Sequence, residues 1–195
     1  MKNSFQLSYV LQNNRLLQHV IFWVSVFIIN IPGNFGELVE NGDPLYVILI
    51  MQTCIFIPQI MASYFLAYYL IPILLFKRKY LDSIFLFIVA TYLFSVLGRI
   101  LIVHVGEELV RARPFEQESI FEILTDLEKL AFHYVPWIYS TSFMFLFVKF
   151  FVDFKRSKEK EILLSKERLD VELKTLKAQL NPHFLFNTLN NIYSL

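Results

Sequence analysis

The chain has 195 residues, of which 56% are hydrophobic and only 18% are charged, and its net charge is +1. A soluble domain is usually about 45–50% apolar and about 25% charged, so this composition argues against an ordinary soluble globular protein. The single cysteine, Cys54, excludes an intrachain disulfide and a zinc site built from several cysteines. The mean hydropathy of +0.51 instead favours membrane spans.

Four long apolar runs account for this hydrophobic excess, and they cover residues 16–31, 46–76, 81–105 and 130–152. A helix needs about 20 mostly apolar residues to cross a hydrocarbon layer about 30 Å thick. We therefore predict an all-α membrane protein in which region 1–154 contains four transmembrane helices, the first of them short. Three prolines inside these runs are expected to kink their helices: Pro58, Pro72 and Pro136.

The segments that connect these runs alternate in charge. Basic residues precede the first run and follow the second and the fourth: Lys2, Arg15, Lys77, Arg78, Lys79, Lys155, Arg156, Lys158 and Lys160. Acidic residues follow the first and third runs. Because basic loops stay in the cytoplasm, four spans with both termini inside place every basic segment on the cytoplasmic side. The sequence predicts a multi-pass protein of the inner or plasma membrane, with cytoplasmic N- and C-termini.

The acid-rich 106–129 segment, between the third and fourth runs, shows an apolar periodicity. Its apolar residues recur at i, i+4, i+7 and i+11, as Ile120, Leu124, Leu127 and Ala131. This spacing is typical of one helix face, so we predict a helix that runs into the fourth span.

Residues 155–180 are highly charged and contain neither Gly nor Pro. A short a/d heptad pattern is formed by Ile162, Leu169, Leu173, Leu176 and Leu180. This pattern favours a cytoplasmic signalling coiled coil and hence a homodimer. A solvated amphipathic helix that lies along the membrane or another domain is the alternative.

The last stretch, residues 181–195, combines an imidazole with a set of amides. Asn181 suits an N-cap and Pro182 suits the first position of a helix, so a new helix is expected to begin there. On it, His183 and Asn187 lie one turn apart at the start of a polar stripe that continues through later Asn residues. Solvated helix faces usually carry Lys and Glu, so this choice of residues indicates a face that meets a protein surface or a nucleotide.

The stretch QLNPHFLFNTLN resembles the phosphoacceptor motif of the LytS-like sensor histidine kinases, whose signature is close to L-K-A-Q-x-N-P-H-F-L-F-N-x-L-N. The match extends from Leu176 to about Ile192, which is under a tenth of the chain. The resemblance implies that His183 is phosphorylated from ATP and that Asn187 supplies a supporting polar contact. It also implies a response regulator partner, one with a LytTR-type DNA-binding domain, whose aspartate accepts the phosphoryl group.

The same resemblance implies an ATP-binding domain after the His box, and the motifs of such a domain do not occur in these 195 residues. We therefore expect ATP and Mg²⁺ to be bound by a missing C-terminal domain, so that this chain alone is not active. We expect no cofactor site, no metal ligands and no direct contact with nucleic acid within the chain. The chain is then either part of a longer kinase or a substrate-only half that another subunit phosphorylates.

Three ionisable residues within the apolar runs are candidates for membrane signalling: Arg99, His104 and His133. An intramembrane charge usually faces a bundle interior, a partner or a cavity. Together with Glu107, Glu108 and Asp126, these residues could form an outer ligand or ion site. The alternative is that Arg99 snorkels to the interface and that both histidines lie among interfacial aromatic residues.

These observations lead to the hypothesis of a membrane-bound sensor histidine kinase that is autophosphorylated on His183. A non-catalytic membrane adaptor that dimerises and docks a partner through residues 181–195 is the alternative. A small transporter or channel with Arg99 on its pathway is a weaker third hypothesis, since transport does not explain residues 155–195.

Overall fold

The computed structural model describes residues 14–40, 42, 44–112 and 114–179. The α-helices in this part of the chain are α1 (Arg15–Glu40), α2 (Leu45–Tyr64), α3 (Tyr80–Ile100), α4 (Glu107–Val110), α5 (Ile120–Thr125), α6 (Leu127–Lys129) and α7 (Val135–Gln179). Three π-helical segments join them: Phe65–Leu75, Leu101–Gly106 and Leu130–Tyr134. The described residues are 90% helical and include no strand, so the predicted all-α fold is confirmed for them.

Three helical stretches are long and apolar enough to cross a membrane: Leu45–Leu74, Tyr80–Val110 and Leu127–Ala178. Leu16–Pro32 is a shorter apolar helix. The three long stretches include the predicted runs 81–105 and 130–152 and nearly all of 46–76. The number of four spans stays a prediction because the apolar part of α1, Leu16–Pro32, is short for a membrane crossing.

Two of the three prolines lie in or beside π-helical segments. Pro72 is inside Phe65–Leu75, and Pro136 is the second residue after Leu130–Tyr134. Proline lacks a backbone N–H, and its ring clashes with the carbonyl four residues earlier. A π turn bonds residues five apart, so it offers a way to accommodate the ring without ending the helix. Pro58, in contrast, is buried within the α-helical α2.

The chain divides into two compact units, one that ends at Phe147 and one that begins at Val148. In the first unit, three helices meet at Gly98 of α3. A Cβ at Gly98 would lie 3.2 Å from Ile55 Cδ1, 3.4 Å from Pro58 Cγ and 3.5 Å from Ile138 Cδ1. Ile55 and Ile138 are fully buried. The absence of a side chain at position 98 therefore allows α3 to approach α2 and α7 closely.

Polar side chains also connect the helices of this unit. Gln59 Nε2 donates to the carbonyl oxygen of Trp137 over 3.0 Å, and the hydroxyl oxygens of Ser63 and Ser142 are 3.0 Å apart. Interhelical hydrogen bonds of this kind contribute about 0.6 kcal/mol on average in a membrane protein. They fix which helix faces meet, since apolar side chains alone do not distinguish a neighbouring helix from lipid.

The predicted helix that runs into the last apolar run is divided in the structure: Ile120–Thr125 is a separate helix, and the stretch that continues into run 130–152 begins at Leu127. The residues described between Arg111 and Ser119 are not helical, and the helix is interrupted again at Asp126. Ser119 and Asp126 both act as N-caps. Each side chain accepts a hydrogen bond from the backbone N–H three residues later, at Glu122 and Lys129 respectively. The predicted apolar face is exposed, and the buried residue of α5 is Ile123.

The turn between the helical stretches Leu45–Leu74 and Tyr80–Val110 contains a backbone conformation that glycine usually adopts. Arg78 has a φ of +60°, which costs a residue with a Cβ roughly 1–2 kcal/mol. The N–H of Lys79 donates to the carbonyl of Leu74 over 3.1 Å, which satisfies a carbonyl at the helix end. The turn therefore contains an arginine where the backbone favours glycine.

The second unit is described by helix residues 148–179. Several ion pairs form along the polar surface of this helix. Examples are Lys158 with Glu161 at 2.8 Å and Lys174 with Asp170 at 2.7 Å. Ile162, Leu169 and Leu176, by contrast, are more than half exposed. The helix therefore presents a stripe of apolar side chains at heptad spacing that the single chain leaves uncovered.

Candidate functional site: a buried arginine clamped by the 106–129 segment

The most deeply buried charge among the described residues is Arg99 on α3, whose side chain is 2% exposed. Its Nε donates to Glu118 Oε2 over 2.9 Å, and its Nη2 lies 2.8 Å from the same oxygen. The same Nη2 lies 2.9 Å from Asp126 Oδ2. Two carboxylates from the 106–129 segment therefore neutralise a guanidinium that belongs to a membrane-length helix.

Local backbone structure holds these carboxylates in place. Ser119 closes a capping box with Glu122 at the start of α5, which fixes the residue next to Glu118. Asp126 caps α6 while it binds Arg99, because one of its oxygens accepts the N–H of Lys129 over 3.1 Å. Gln117 Nε2 donates to the carbonyl of Val103 over 2.7 Å. The segment is thus tied to the bundle on both sides of the Arg99 contact.

A second cation, Lys129, completes the group. Its Nζ is 2.7 Å from Glu118 Oε1, so Glu118 bridges the buried arginine and a lysine that is 46% exposed. We call Arg99, Glu118, Asp126 and Lys129 the arginine cluster. Two positive and two negative groups balance, and burial of Arg99 therefore leaves no net charge in the cluster.

The electrostatics keep both carboxylates ionised. Burial favours a raised pKa at Glu118, but hydrogen bonds from Lys129 and Arg99 and their positive charge lower its pKa overall. The backbone N–H of Lys129 lowers the pKa of Asp126, burial opposes this effect, and Arg99 lowers it further. Both pKa values lie below their ordinary values of 4.5 and 3.8, so the clamp is charged at neutral pH.

The predicted membrane-signalling residues lie in different surroundings. The pairing of Arg99 with Asp126 brings together two residues that the sequence had grouped, whereas Glu107 pairs with Arg111 at 3.3 Å. His133 makes edge contacts with Trp137 at 5.2 Å between ring centroids. His104 is half-buried, and its Nε2 has no hydrogen-bond partner among the residues described. Within the same part of the chain, no three His, Cys, Asp or Glu residues are grouped to bind a metal ion.

Sequence reasoning missed two parts of this arrangement. Glu118 was one of many acids in its segment, and only the fold selects it as the main partner of Arg99. His19 lies in the first apolar run and was not singled out, yet its ring nitrogens are 3.1 Å from the Tyr64 hydroxyl and 3.4 Å from the Tyr68 hydroxyl. An ionisable residue inside an apolar run was the available signal for His19.

The predicted phosphoacceptor, His183, and its neighbour Asn187 lie outside the described residues, as does all of 180–195. Comparison with known families bears on this stretch directly. The family model for histidine kinases matches residues 171–195. No curated protein and no solved structure matches the chain. The match supports the interpretation that the chain is a histidine kinase family member. The membrane-length helices are consistent with a membrane-bound kinase.

Proposed function

We propose that the chain is the membrane-sensing and phosphoacceptor region of a LytS-like sensor histidine kinase in a two-component system. The observation that carries the proposal is the histidine kinase match at residues 171–195, which includes His183. The PHFLFN motif supports the LytS-like type, and the membrane-length helices support a sensor in the membrane.

In the proposed reaction, His183 is the nucleophile. An imidazole is largely neutral near pH 7, and its unprotonated ring nitrogen can attack the γ-phosphorus of ATP. The N–P bond forms as the P–O bond to the ADP leaving group breaks. The phosphoryl group then passes to a carboxylate oxygen of a response regulator aspartate, and His183 is regenerated. Asn187, one helical turn away, is proposed to hydrogen-bond the imidazole or the phosphoryl group.

ATP and Mg²⁺ are proposed to be held by a separate ATP-binding domain, either in the same polypeptide or in another subunit. Mg²⁺ would neutralise charge on the transferring phosphate. The contribution of the present chain is then to position the imidazole and to control its accessibility.

The proposed arrangement is a homodimer with four spans and cytoplasmic termini in each protomer. The alternation of basic and acidic connections supports the topology. The exposed heptad side chains Ile162, Leu169 and Leu176 support dimerisation through a parallel coiled coil. The response regulator, of LytTR type by resemblance, would dock on the helix that carries His183.

The arginine cluster is the proposed point at which the sensor responds. Any movement that withdraws Glu118 and Asp126 leaves the guanidinium of Arg99 buried without a counter-charge. Breaking a buried pair in this way costs about 3–5 kcal/mol when both partners are buried, and less here because the carboxylates are about one-third exposed. The 106–129 segment and the spans should therefore move together, and α7 would carry that movement towards residues 155–180.

Phosphorylation of the full-length protein in nanodiscs with γ-labelled ATP tests this function. The His183→Gln variant should lose all acid-labile label. The His133→Gln variant, which changes a histidine in the membrane region, should keep it. Acid-labile label that persists on the His183→Gln protein would show that another residue is the acceptor. A correctly inserted wild-type protein that takes up no label, and whose gene encodes no ATP-binding domain, would instead favour the adaptor. That adaptor would dock its partner through residues 181–195.

A further inference from the structure

An apolar groove lies between α2 and the end of the membrane-length stretch Tyr80–Val110. Its volume is about 320 Å³, and eight side chains line it: Leu49, Ile50, Thr53, Cys54, Ile57, Leu101, Val105 and Leu109. Pockets that bind small molecules have volumes of about 300–1,000 Å³, so the groove is large enough for a ligand.

The lining offers almost nothing for a polar ligand. Six of the eight residues are aliphatic. The hydroxyl of Thr53 donates to the carbonyl of Leu49 over 2.7 Å, so its hydrogen is already used within the helix. Small-molecule sites usually add a few polar groups that orient the ligand. A groove without them selects a hydrocarbon chain.

The groove follows from a close helix contact. Gly106, at the end of the π-helical segment Leu101–Gly106, lies against Met51 of α2, and a Cβ there would be 2.8 Å from Met51 Sδ. The same Cβ would be 3.4 Å from Cys54 Sγ, and Cys54 lines the groove. The two walls therefore approach each other closely beside the groove, at a position where a Cβ would require Met51 to shift.

The depth of the groove matches one leaflet of a bilayer. The α2 wall extends from Leu49 to Ile57, which is about 12 Å at 1.5 Å per residue and under half of a hydrocarbon layer of about 30 Å. Both walls lie within the membrane-length stretches Leu45–Leu74 and Tyr80–Val110. The groove is thus at hydrocarbon depth, on the side of the membrane that carries the 106–129 segment.

A cation follows the groove-lining residues in the sequence. Arg111 follows the lining residue Leu109 by two positions, at the point where the backbone turns extended. Its side chain is 55% exposed and reaches Glu107 only at 3.3 Å, a surface pair that contributes little. A guanidinium can bind a phosphate through two parallel hydrogen bonds. Because Arg111 follows the membrane-length stretch Tyr80–Val110, we expect it at the level of the lipid headgroups.

We propose that this groove binds a phospholipid from the leaflet on the side of the 106–129 segment, with one acyl chain between the two walls and its phosphate at Arg111. The occupant is a lipid because the walls are at hydrocarbon depth, the lining is apolar and a cation follows its end. This binding does not depend on the chemistry of His183.

The test is photolabelling of the full chain in nanodiscs that contain a phospholipid with a diazirine in its acyl chain. Peptide mapping should place the adducts on residues 49–57 and 101–109 in preference to other lipid-exposed positions. Val105→Trp fills the groove and should lower these adducts about tenfold, the equivalent of about 1.4 kcal/mol. Leu109→Trp should act in the same way. Ile88→Trp, at a 61% exposed position of α3 outside the groove, is the matched control and should leave the adducts unchanged.

Arg111→Gln should lower labelling by the phospholipid probe, but it should not lower labelling by an uncharged diazirine alcohol of the same chain length. Glu107→Gln should not lower labelling by either probe. Equal labelling of Val105→Trp and Ile88→Trp proteins, both reconstituted with unchanged helicity, would overturn the proposal. Adducts spread evenly over all exposed positions would also overturn it, since they would indicate bulk lipid only. Crosslinks between two copies at residues 49–57 would reassign the groove to a protein interface.

Discussion

Removal of one carboxylate from the arginine cluster should destabilise the membrane unit measurably. In the Glu118→Gln protein, Arg99 loses the negative charge of the partner that accepts from its Nε and Nη2, at 2.9 and 2.8 Å, and Asp126 is the remaining counter-charge among the described residues. A broken buried pair costs about 3–5 kcal/mol, and an exposed pair contributes about 0–1 kcal/mol. Because Arg99 is 2% exposed and Glu118 is 34% exposed, we expect a loss between these limits, about 2 kcal/mol.

A double-mutant cycle isolates the pair itself. The variants are Glu118→Gln, Arg99→Met and their combination, and the assay is reversible unfolding by SDS in mixed micelles. We expect a coupling energy of about 1–2 kcal/mol between Arg99 and Glu118. The parallel cycle with Lys129→Met should give less than about 1 kcal/mol, since Lys129 is 46% exposed. Glu116→Gln, which removes an exposed charge from the same segment, is the control and should be close to neutral.

The reasoning would be refuted if the Arg99 and Glu118 effects added within about 0.5 kcal/mol, because independent sites behave in that way. A Glu116→Gln effect as large as that of Glu118→Gln would also contradict it. In that case the loss would come from the charge of the segment as a whole and not from the clamp.

Three further predictions concern the same unit. Glu118 and Asp126 have pKa values below the ordinary 4.5 and 3.8, so their contribution to the free energy of unfolding should be complete above about pH 5 and lost as the pH falls through the lowered values. Unfolding at a series of pH values will measure this, and a loss of stability between pH 7 and pH 6 would contradict it. Gly98→Leu should lower the free energy of unfolding in SDS by about 1–3 kcal/mol, because the new side chain overpacks the contact of three helices. Gly36→Ala, whose new Cβ has no atom within 4 Å, should be neutral or stabilising. Equal effects of the two substitutions would disprove the close contact at Gly98. Arg78→Gly should raise the unfolding midpoint by relieving the positive φ, and Lys77→Gly, which removes the same charge from the same turn, should not; a lower midpoint for Arg78→Gly would contradict the strain.

The helices of the membrane region could be predicted from the sequence because their signal is local. Runs of apolar residues identify a membrane-length helix whatever its neighbours are. The runs 81–105 and 130–152 lie inside the helical stretches Tyr80–Val110 and Leu127–Ala178. The number of spans could not be settled in this way, since Leu16–Pro32 is close to the minimum length.

The form of the 106–129 segment could not be predicted, because periodicity there competes with capping. Ile120, Leu124 and Leu127 have helical spacing, but Ser119 and Asp126 offer the backbone side-chain acceptors that stop a helix. Asp126 is also held by Arg99, which lies far away in sequence. The local cap and the tertiary ion pair with Arg99 therefore meet at the residue where the helix breaks.

The acidic partners of Arg99 could not be predicted from the sequence either, because they lie on separate elements. The sequence grouped Arg99 with Glu107, Glu108 and Asp126 in a possible outer ligand or ion site and left a snorkelling Arg99 as the alternative. The structure selects Asp126 and adds Glu118, while Glu107 pairs with Arg111. Partners on separate elements become known only when the packing of those elements is known. The assignment of His183, in contrast, depends on a short motif and stays a prediction.

The most direct test of the central claim is to locate the phosphoryl group on the full-length protein. After reaction with ATP and Mg²⁺ and digestion under alkaline conditions, mass spectrometry should place phosphate on the imidazole of His183 in the peptide that contains residues 178–195. Addition of the cognate response regulator should remove that phosphate and transfer it to a regulator aspartate. Phosphate on any other residue, or an unmodified His183 in a protein that does phosphorylate its regulator, would contradict the account.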